Sequence, residues 1–428
     1  MRNYFAAPTP FLHFSLTFLL SHFSFLIYIP YLCTMRTAIV GGGAAGFFLA
    51  VNLKEAMPEM DVTIFERSNR VLAKVEISGG GRCNCTNSFE DVSDFSAVYP
   101  RGHRLMSRLF KTFDHHDAYR WFEEHGVPLV TQPDHCVFPK AQDSHAIIDC
   151  FINLAHRYHI HIRTHEKIAS LRQLSDYDFV AVTTGGSPRR EGLQWLADAG
   201  HTIENPVPSL FTFSINDEHL HQLKGIVVDN ASVLLPGTKL RASGPLLITH
   251  WGMSGPAILK LSSYAARHLA DHQYHSPLSV NWVAADEAAV HNVLHEAIIR
   301  QPQKQVTTVS PFQLSQRLWN YLTEKALATR SVIRWGEMNK KDVNRLANVL
   351  INDTYTIAGR APFKDEFVTC GGVSLSSIVS STLESRHVPH LFFAGEVLDI
   401  DGITGGFNFQ AAWTTAFVVT QSILKQQK

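Results

Sequence analysis

Residues 77–87, ISGGGRCNCTN, hold three consecutive glycines, one arginine and two cysteines. Residues of those types can cradle a phosphate, hold a metal, form a redox pair or turn the chain. Spacing argues against metal and redox roles. Zinc ribbons and redox dithiols use C-x-x-C, whereas Cys83 and Cys85 form C-x-C, whose side chains point apart in extended backbone and strain a disulfide. Histidines 156, 159, 161 and 165 come without a carboxylate cage. Strand alternation puts His159, His161 and His165 on one solvent-facing edge, so no metal site is expected there.

A second chemical signal lies upstream. Gly41-Gly42-Gly43-Ala44-Ala45-Gly46 follows the apolar run TAIV (37–40) and precedes FFLAVNLKEAM. Gly41, Gly43 and Gly46 fit G-x-G-x-x-G: a tight turn, close approach of a pyrophosphate, and close packing of helix on strand. The helix start, with Ala45 in its first turn, offers free N–H groups and a positive dipole end to phosphates. The helix is expected to end near Pro58, and DVTIFER (61–67) reads as the second strand. Glu66 falls twenty residues after Gly46, where a carboxylate accepts the ribose hydroxyls of an adenosine and repels a 2′-phosphate. NADP is thereby disfavoured at this site; NAD and FAD remain open.

The whole chain must position these groups. Its 428 residues exceed one ordinary core, so two or three domains are expected. With 45% hydrophobic and 18% charged residues it reads as folded and globular. Lys plus Arg equals Asp plus Glu at 38 each, which offers no overall basic footprint for nucleic acid. Six irregularly spaced cysteines point to a reducing, cytoplasmic setting. The apolar run 11–29 is about long enough to cross a bilayer. MRTAIVGGG at Met35 opens the nucleotide-binding strand without a linker, so residues 1–34 are read as an extension outside the fold and no stable membrane association is expected. Short alternating strands follow Asn205 (SLFTFSI, GIVVDNASVLL, GPLLITH, SPLSVNWV), suggesting a small barrel or sandwich, and 285–352 read as helices.

After Glu66 the chain departs from regular NAD-type winding and inserts the Gly-rich loop, as glutathione-reductase-type flavoproteins do. Together with IVGGGAAG (39–46) and TTGG (183–186), later segments carry a family pattern: THWGMSGPAIL (249–259), VTCGGVSL (368–375), TLESR (382–386) and FFAGEVLDIDGITGGFNFQAAW (392–413). From Met35 to the C-terminus the chain resembles a bacterial family of FAD-dependent oxidoreductases that includes aminoacetone-oxidase-like proteins and bile-acid 4,6-dehydro reductases. It departs at Cys85, where the family has a branched apolar residue, and in a shortened stretch after TTGG.

The resemblance implies an α/β fold. A Rossmann-like FAD-binding domain is built from N- and C-terminal segments (35–204 and 353–428) and interrupted by an inserted small β-barrel (205–284) and a helical subdomain (285–352). It implies that Gly80, Gly81, Arg82, Cys83 and Asn84 wrap the flavin, largely by backbone, with Arg82 available to its phosphate or carbonyl side. Ile168 falls where the family's backbone touches adenine, and Thr184, Gly185 and Gly186 pass near the cofactor. Glu396 or Asp399 binds the ribityl or pyrophosphate side, while the backbone of Gly406, Phe407 and Asn408 faces the flavin N1–C2=O edge. Trp251 either faces the flavin or packs.

The expected activity is hydride transfer through flavin N5 between NAD(P)H, or another reduced donor, and a small organic substrate. No second complete G-x-G-x-x-G unit is present, so NAD(P)H either binds transiently or is not the donor. No nucleic-acid partner is expected, and no side chain is assigned as general acid or base. Rival readings are a flavin-dependent RNA-modifying enzyme, a membrane-associated quinone-linked dehydrogenase and an FAD-binding sensor.

Overall fold

The computed structural model describes residues 35–361 and 368–427. Its first part is a five-stranded parallel sheet in the order Leu391–Phe393, Phe179–Val182, Arg36–Val40, Asp61–Phe65, His161–Arg163. The central strand is buried on both faces, with Ala38 and Ile39 at 0% exposure, as parallel strands covered by helices are. Its helical cover brings together residues far apart in the chain. The Ala44–Ala56 and Phe407–Lys425 helices pack on each other, with the Phe48 ring 5.3 Å from Trp413 and 4.7 Å from Trp121.

The outer edge differs from the expected strand alternation over His159, His161 and His165. Only His161–Arg163 pairs, parallel to Asp61–Phe65. His159 and His165 take left-handed backbone (φ 55° and 59°), so strand alternation stops on either side of three residues. All four histidines are exposed.

The second part is a closed six-stranded barrel: Val227–Leu234, Arg241–Ile248, Gly252–Ser254, Phe213–Ile215, Asp353–Arg360 and Ser276–Asn281. Sequence reading gave 353–428 to the C-terminal FAD segment, yet Asp353–Arg360 is the strand that closes the barrel, pairing antiparallel with both Ser276–Asn281 and Phe213–Ile215. Its alternation suits a half-buried strand in either place, and only long-range pairing chooses. Helices Glu287–Arg300, Gln316–Leu327 and Lys340–Ile351 precede it. Buried Asp353 joins helix and barrel, accepting from Lys325 Nζ (2.6 Å), Tyr355 Oη (2.6 Å) and Trp282 Nε1 (3.0 Å), so the charge is paired and its lone pairs are used.

Trp251 belongs to the barrel by its backbone: its carbonyl accepts from Ile215 N at 2.9 Å, and its ring lies edge-on to His250. Pro256 opens the next helix behind Gly255 (φ 90°). Strand Ile203–Ser209 pairs with Val368–Val373 in a two-stranded connection. Among the described residues no helix is long and apolar enough to cross a membrane; the 11–29 run and residues 362–367 lie outside them.

Candidate cofactor site

The first strand ends at Gly41 (φ 121°), where a Cβ would lie 2.4 Å from the Thr183 carbonyl oxygen; one on Gly46 would lie 2.1 Å from that of Gly41. Neither position has room for a side chain. Gly43, which caps the 44–56 helix, is different: a Cβ there meets nothing within 4 Å. Space is therefore left in front of the helix N-terminus, where a pyrophosphate gains from unpaired N–H groups. Ala45 packs against Gly395, whose added Cβ would lie 3.0 Å from the alanine methyl. Glu66 stands beside the turn, accepting from Gly42 N (3.0 Å) and Ser68 N (2.8 Å). Glu166 N donates to the Glu66 carbonyl at 2.9 Å, which lays 166–168 alongside. The Ile168 side chain is buried with Val40 and Phe65.

The Gly79–Gly81 run is left-handed throughout, with φ of 57°, 69° and 85°, a conformation that glycine alone adopts freely. Added Cβ atoms on Gly80 and Gly81 would point into open space, whereas one on Gly79 would press Asn84 N at 2.9 Å. At Gly80 the dihedral angle favours glycine, and no protein atom fills the space before it. Arg82 lies over the Phe138 ring (4.4 Å) and donates from Nε to Gly79 O (3.2 Å), covering the turn from outside. Cys83 and Cys85 are free, fully buried thiols. Burial pushes Cys83 up to about 12 and Cys85 well above its ordinary value, so both remain neutral thiols. Cys85 fills core volume as a small hydrophobe.

The last four residues of the motif do something its composition does not announce. They clasp the start of the C-terminal helix. With its amide oriented to satisfy both ends, Asn84 donates to Thr86 O (2.9 Å) and accepts from Gly406 N (3.2 Å). Cys85 O accepts from Trp413 Nε1 (2.8 Å), Thr86 Oγ1 donates to Gln410 Oε1 (2.6 Å), and Asn87 Nδ2 donates to Gly405 O (2.9 Å). Gly406 is left-handed (φ 88°), and a Cβ on it would fall 2.1 Å from Thr86 O. The Phe407 carbonyl accepts from Tyr99 Oη (2.8 Å), and the Asn408 side chain both donates to and accepts from the Gly402 backbone. Their side chains shape the loop; what remains for a ligand is the first-turn N–H groups and the positive end of a 19-residue helix.

A third wall forms at Gly185 (φ 71°) and Gly186, with Thr184 exposed beside them. A Cβ on Gly186 would meet Glu396 Oε1 and Thr369 Oγ1, each at 2.5 Å. Glu396 accepts from Thr369 N (2.7 Å) and pairs with Lys74 Nζ (3.0 Å). Of the two carboxylates offered by the sequence, Glu396 is the one at this turn. Asp399 is engaged by Arg267 Nη2, 3.1 Å from each oxygen, and burial raises its pKa. Asp401, fully buried, pairs with Arg101 and accepts from Ser209 Oγ (3.0 Å). Sequence reasoning missed Lys74, Thr86, Asn87, Gln410 and Trp413. The last four sit inside the quoted motifs, but nothing in those strings says that they meet.

Glycine walls with open space at 43, 80 and 81, a carboxylate at the motif turn and a clasped helix N-terminus suit a dinucleotide carrying a flavin. The family described as HI0933-like protein Rossmann domain matches residues 35–422, and the chain belongs to it; its members are FAD-dependent oxidoreductases. The chain is 27% identical over 415 residues to the Haemophilus influenzae protein named ribosomal RNA dihydrouridine synthase, covering 91% of this chain and 98% of that one. It is 24% identical over 408 residues to the 3-dehydro-bile acid delta(4,6)-reductase of Clostridium scindens, covering 90% and 97%. Among solved structures it is similar to a 3-ketosteroid delta1-dehydrogenase from Sterolibacterium denitrificans, at 10% identity and TM-score 0.45, covering 91% of this chain and 99% of that one.

Proposed function

We propose that this member of the HI0933-like family is a reductase of carbon–carbon double bonds conjugated to a carbonyl. The observation that carries the reading is the pair of relatives spanning nearly their whole length. One is named for dihydrouridine, a pyrimidine saturated next to its carbonyl, and the other for removing double bonds from a 3-oxo steroid. Those substrates differ in size and polarity and share the bond that is reduced. FAD, once bound and reduced by a donor, would supply the hydride for the carbon remote from the carbonyl, with a proton completing the neighbouring carbon.

The chain's residues would hold and tune that cofactor. Glu66 accepts the ribose hydroxyls, and the N–H groups around Gly43 meet the pyrophosphate. Glu396, held by Lys74 and Thr369 N, takes the ribityl side. The positive end of the clasped C-terminal helix faces the ring edge, where negative charge gathers on reduction. The donor would be NAD(P)H or another reduced compound; with the one dinucleotide motif assigned to FAD, a nicotinamide donor would bind transiently. A small organic substrate remains the first expectation; the relatives named for ribosomal RNA favour an RNA base as the second.

The test is anaerobic. FAD-loaded protein is bleached with NADH or NADPH, then mixed with a 4,6-dien-3-one steroid or with a uridine-bearing RNA transcript. Reoxidation coupled to a product gaining two hydrogens supports the reading. A flavin that stays bleached with every conjugated acceptor unchanged, and recolours only when oxygen is admitted afterwards, overturns it.

A further inference from the structure

We propose that a basic pocket between the two domains binds a phosphate group of the substrate. Four cationic side chains converge on a space of about 350 Å³: Arg101 from the sheet domain, Lys239 and Arg241 from a barrel hairpin, and Arg267 from the helix Ala266–Asp271. That volume falls in the ordinary range for a ligand site. Tyr264 is a further lining residue, and no carboxylate lines the pocket.

The four cations are of two kinds. Arg101 is fixed from behind: Nε and Nη2 bind Asp401, and Nη1 donates to Ser263 O at 2.7 Å. Arg267 is held by Asp399 and, at 3.5 Å, by Glu204. A guanidinium has five N–H donors, so each retains some for a ligand while its orientation is set by the carboxylate behind it. That is the preorganised arrangement a binding site needs. Lys239 and Arg241 also line the pocket, are exposed, and have no ion pair or side-chain hydrogen bond among the described residues. They add uncompensated positive charge to a pocket already lined by two fixed arginines, a repulsion that a bound anion relieves. Donors arriving from three separate elements suit a tetrahedral oxyanion better than a planar carboxylate, and guanidinium forks bind phosphate bidentately.

Position links the pocket to the cofactor site. Asp399 and Asp401 belong to the loop that runs through Gly402 to the Gly406 cap, so the groups fixing the pocket arginines lie directly before the helix end assigned to the flavin. The assignment to substrate rests on the proposed reductase activity; the phosphate site itself does not.

Inorganic phosphate is titrated calorimetrically into FAD-loaded full-length protein and into K239E/R241E, followed by uridine 5′-monophosphate and an eight-residue oligouridylate. The exposed hairpin variant should keep its flavin spectrum, which checks the fold. Saturable phosphate binding, weakened at least about tenfold by the two reversals as close ion contacts are lost, supports the site. Absence of saturation, or wild-type affinity retained in both K239E/R241E and the milder K239Q/R241Q, overturns it. An oligouridylate whose affinity falls more steeply with salt than that of the mononucleotide identifies a polymer as the phosphate source; equal slopes identify a small phosphorylated compound, and either result requires the site. Phosphate binding needs no turnover. Normal binding without reduction of conjugated acceptors would therefore remove the reductase reading alone, and the converse would remove the pocket alone.

Discussion

At the end of the cradle proposed for the adenosine, Gly42 and Glu66 meet across 24 residues of chain; at the end proposed for the flavin, Thr86 meets Gln410 across 324 and Cys85 meets Trp413 across 328. The first arrangement is largely complete within one strand–helix–strand unit, apart from the Thr183 contact with Gly41. The second exists only after the barrel and three helices have been laid down and the chain has returned. Short closures cost little chain entropy and long ones more, so the flavin end depends on the global fold in a way the adenosine end does not. Substitutions at the flavin end should therefore lower stability and FAD content together, while those at the adenosine end should lower FAD content with less effect on the apoprotein.

The strongest test of that difference is Gly406→Val. It places a branched side chain in left-handed backbone and drives Cβ onto Thr86 O. Strain and overpacking should remove about 2–5 kcal/mol of stability, and purified protein should be colourless. Denaturant unfolding and the flavin-to-protein absorbance ratio report both. A yellow variant of near-normal stability would show that the clasp is not what holds the helix end.

Next in size is Glu66→Gln. Loss of the charged acceptor should weaken FAD by about 1.5–3 kcal/mol, measured by reconstitution of apoprotein, with a smaller change in apoprotein unfolding. If stability falls as much as affinity, the two ends are not distinct. Thr86→Val tests the clasp more gently. It leaves buried Gln410 Oε1 without its donor, for about 1–3 kcal/mol of stability, and should shift the unfolding midpoint before it changes flavin content.

Gly80→Asn separates backbone strain from ligand contact. Asparagine tolerates left-handed φ and a Cβ there meets no protein atom, so apoprotein stability should change by less than about 1 kcal/mol. FAD content should drop, because the added side chain occupies the cofactor's space. Retention of FAD at wild-type affinity would place the flavin elsewhere.

The smallest effects are expected at the thiols. Cys83→Ser and Cys85→Ser should keep FAD and the visible spectrum. In the folded wild type both thiols should resist iodoacetamide up to pH 10. The Cys83 pKa is raised on folding, from 9.0 to about 12, so its contribution to stability is fully present below pH 9. It is lost as pH rises through that interval, because the unfolded chain releases its proton first. A Cys83 that alkylates rapidly at pH 8 would restore a chemical role for the thiol.

The sequence by itself determined what is encoded over short distances. The 41–46 turn, the helix it opens and the strands on either side of it are local matters of φ and hydrophobic period, and they form over the residues that implied them. Tertiary structure decided which distant partners close on them. It sent Asp399 to Arg267 and kept Glu396 at Gly186, brought Lys74 to Glu396, and used Asp353–Arg360 to complete the barrel. It also turned the end of a motif that looks like a ligand loop into a clasp on a helix more than 300 residues away. A carboxylate or an amide carries no periodicity that names its partner. Its role is fixed by which backbone the folded chain brings within hydrogen-bonding distance, and that depends on every element packed between them.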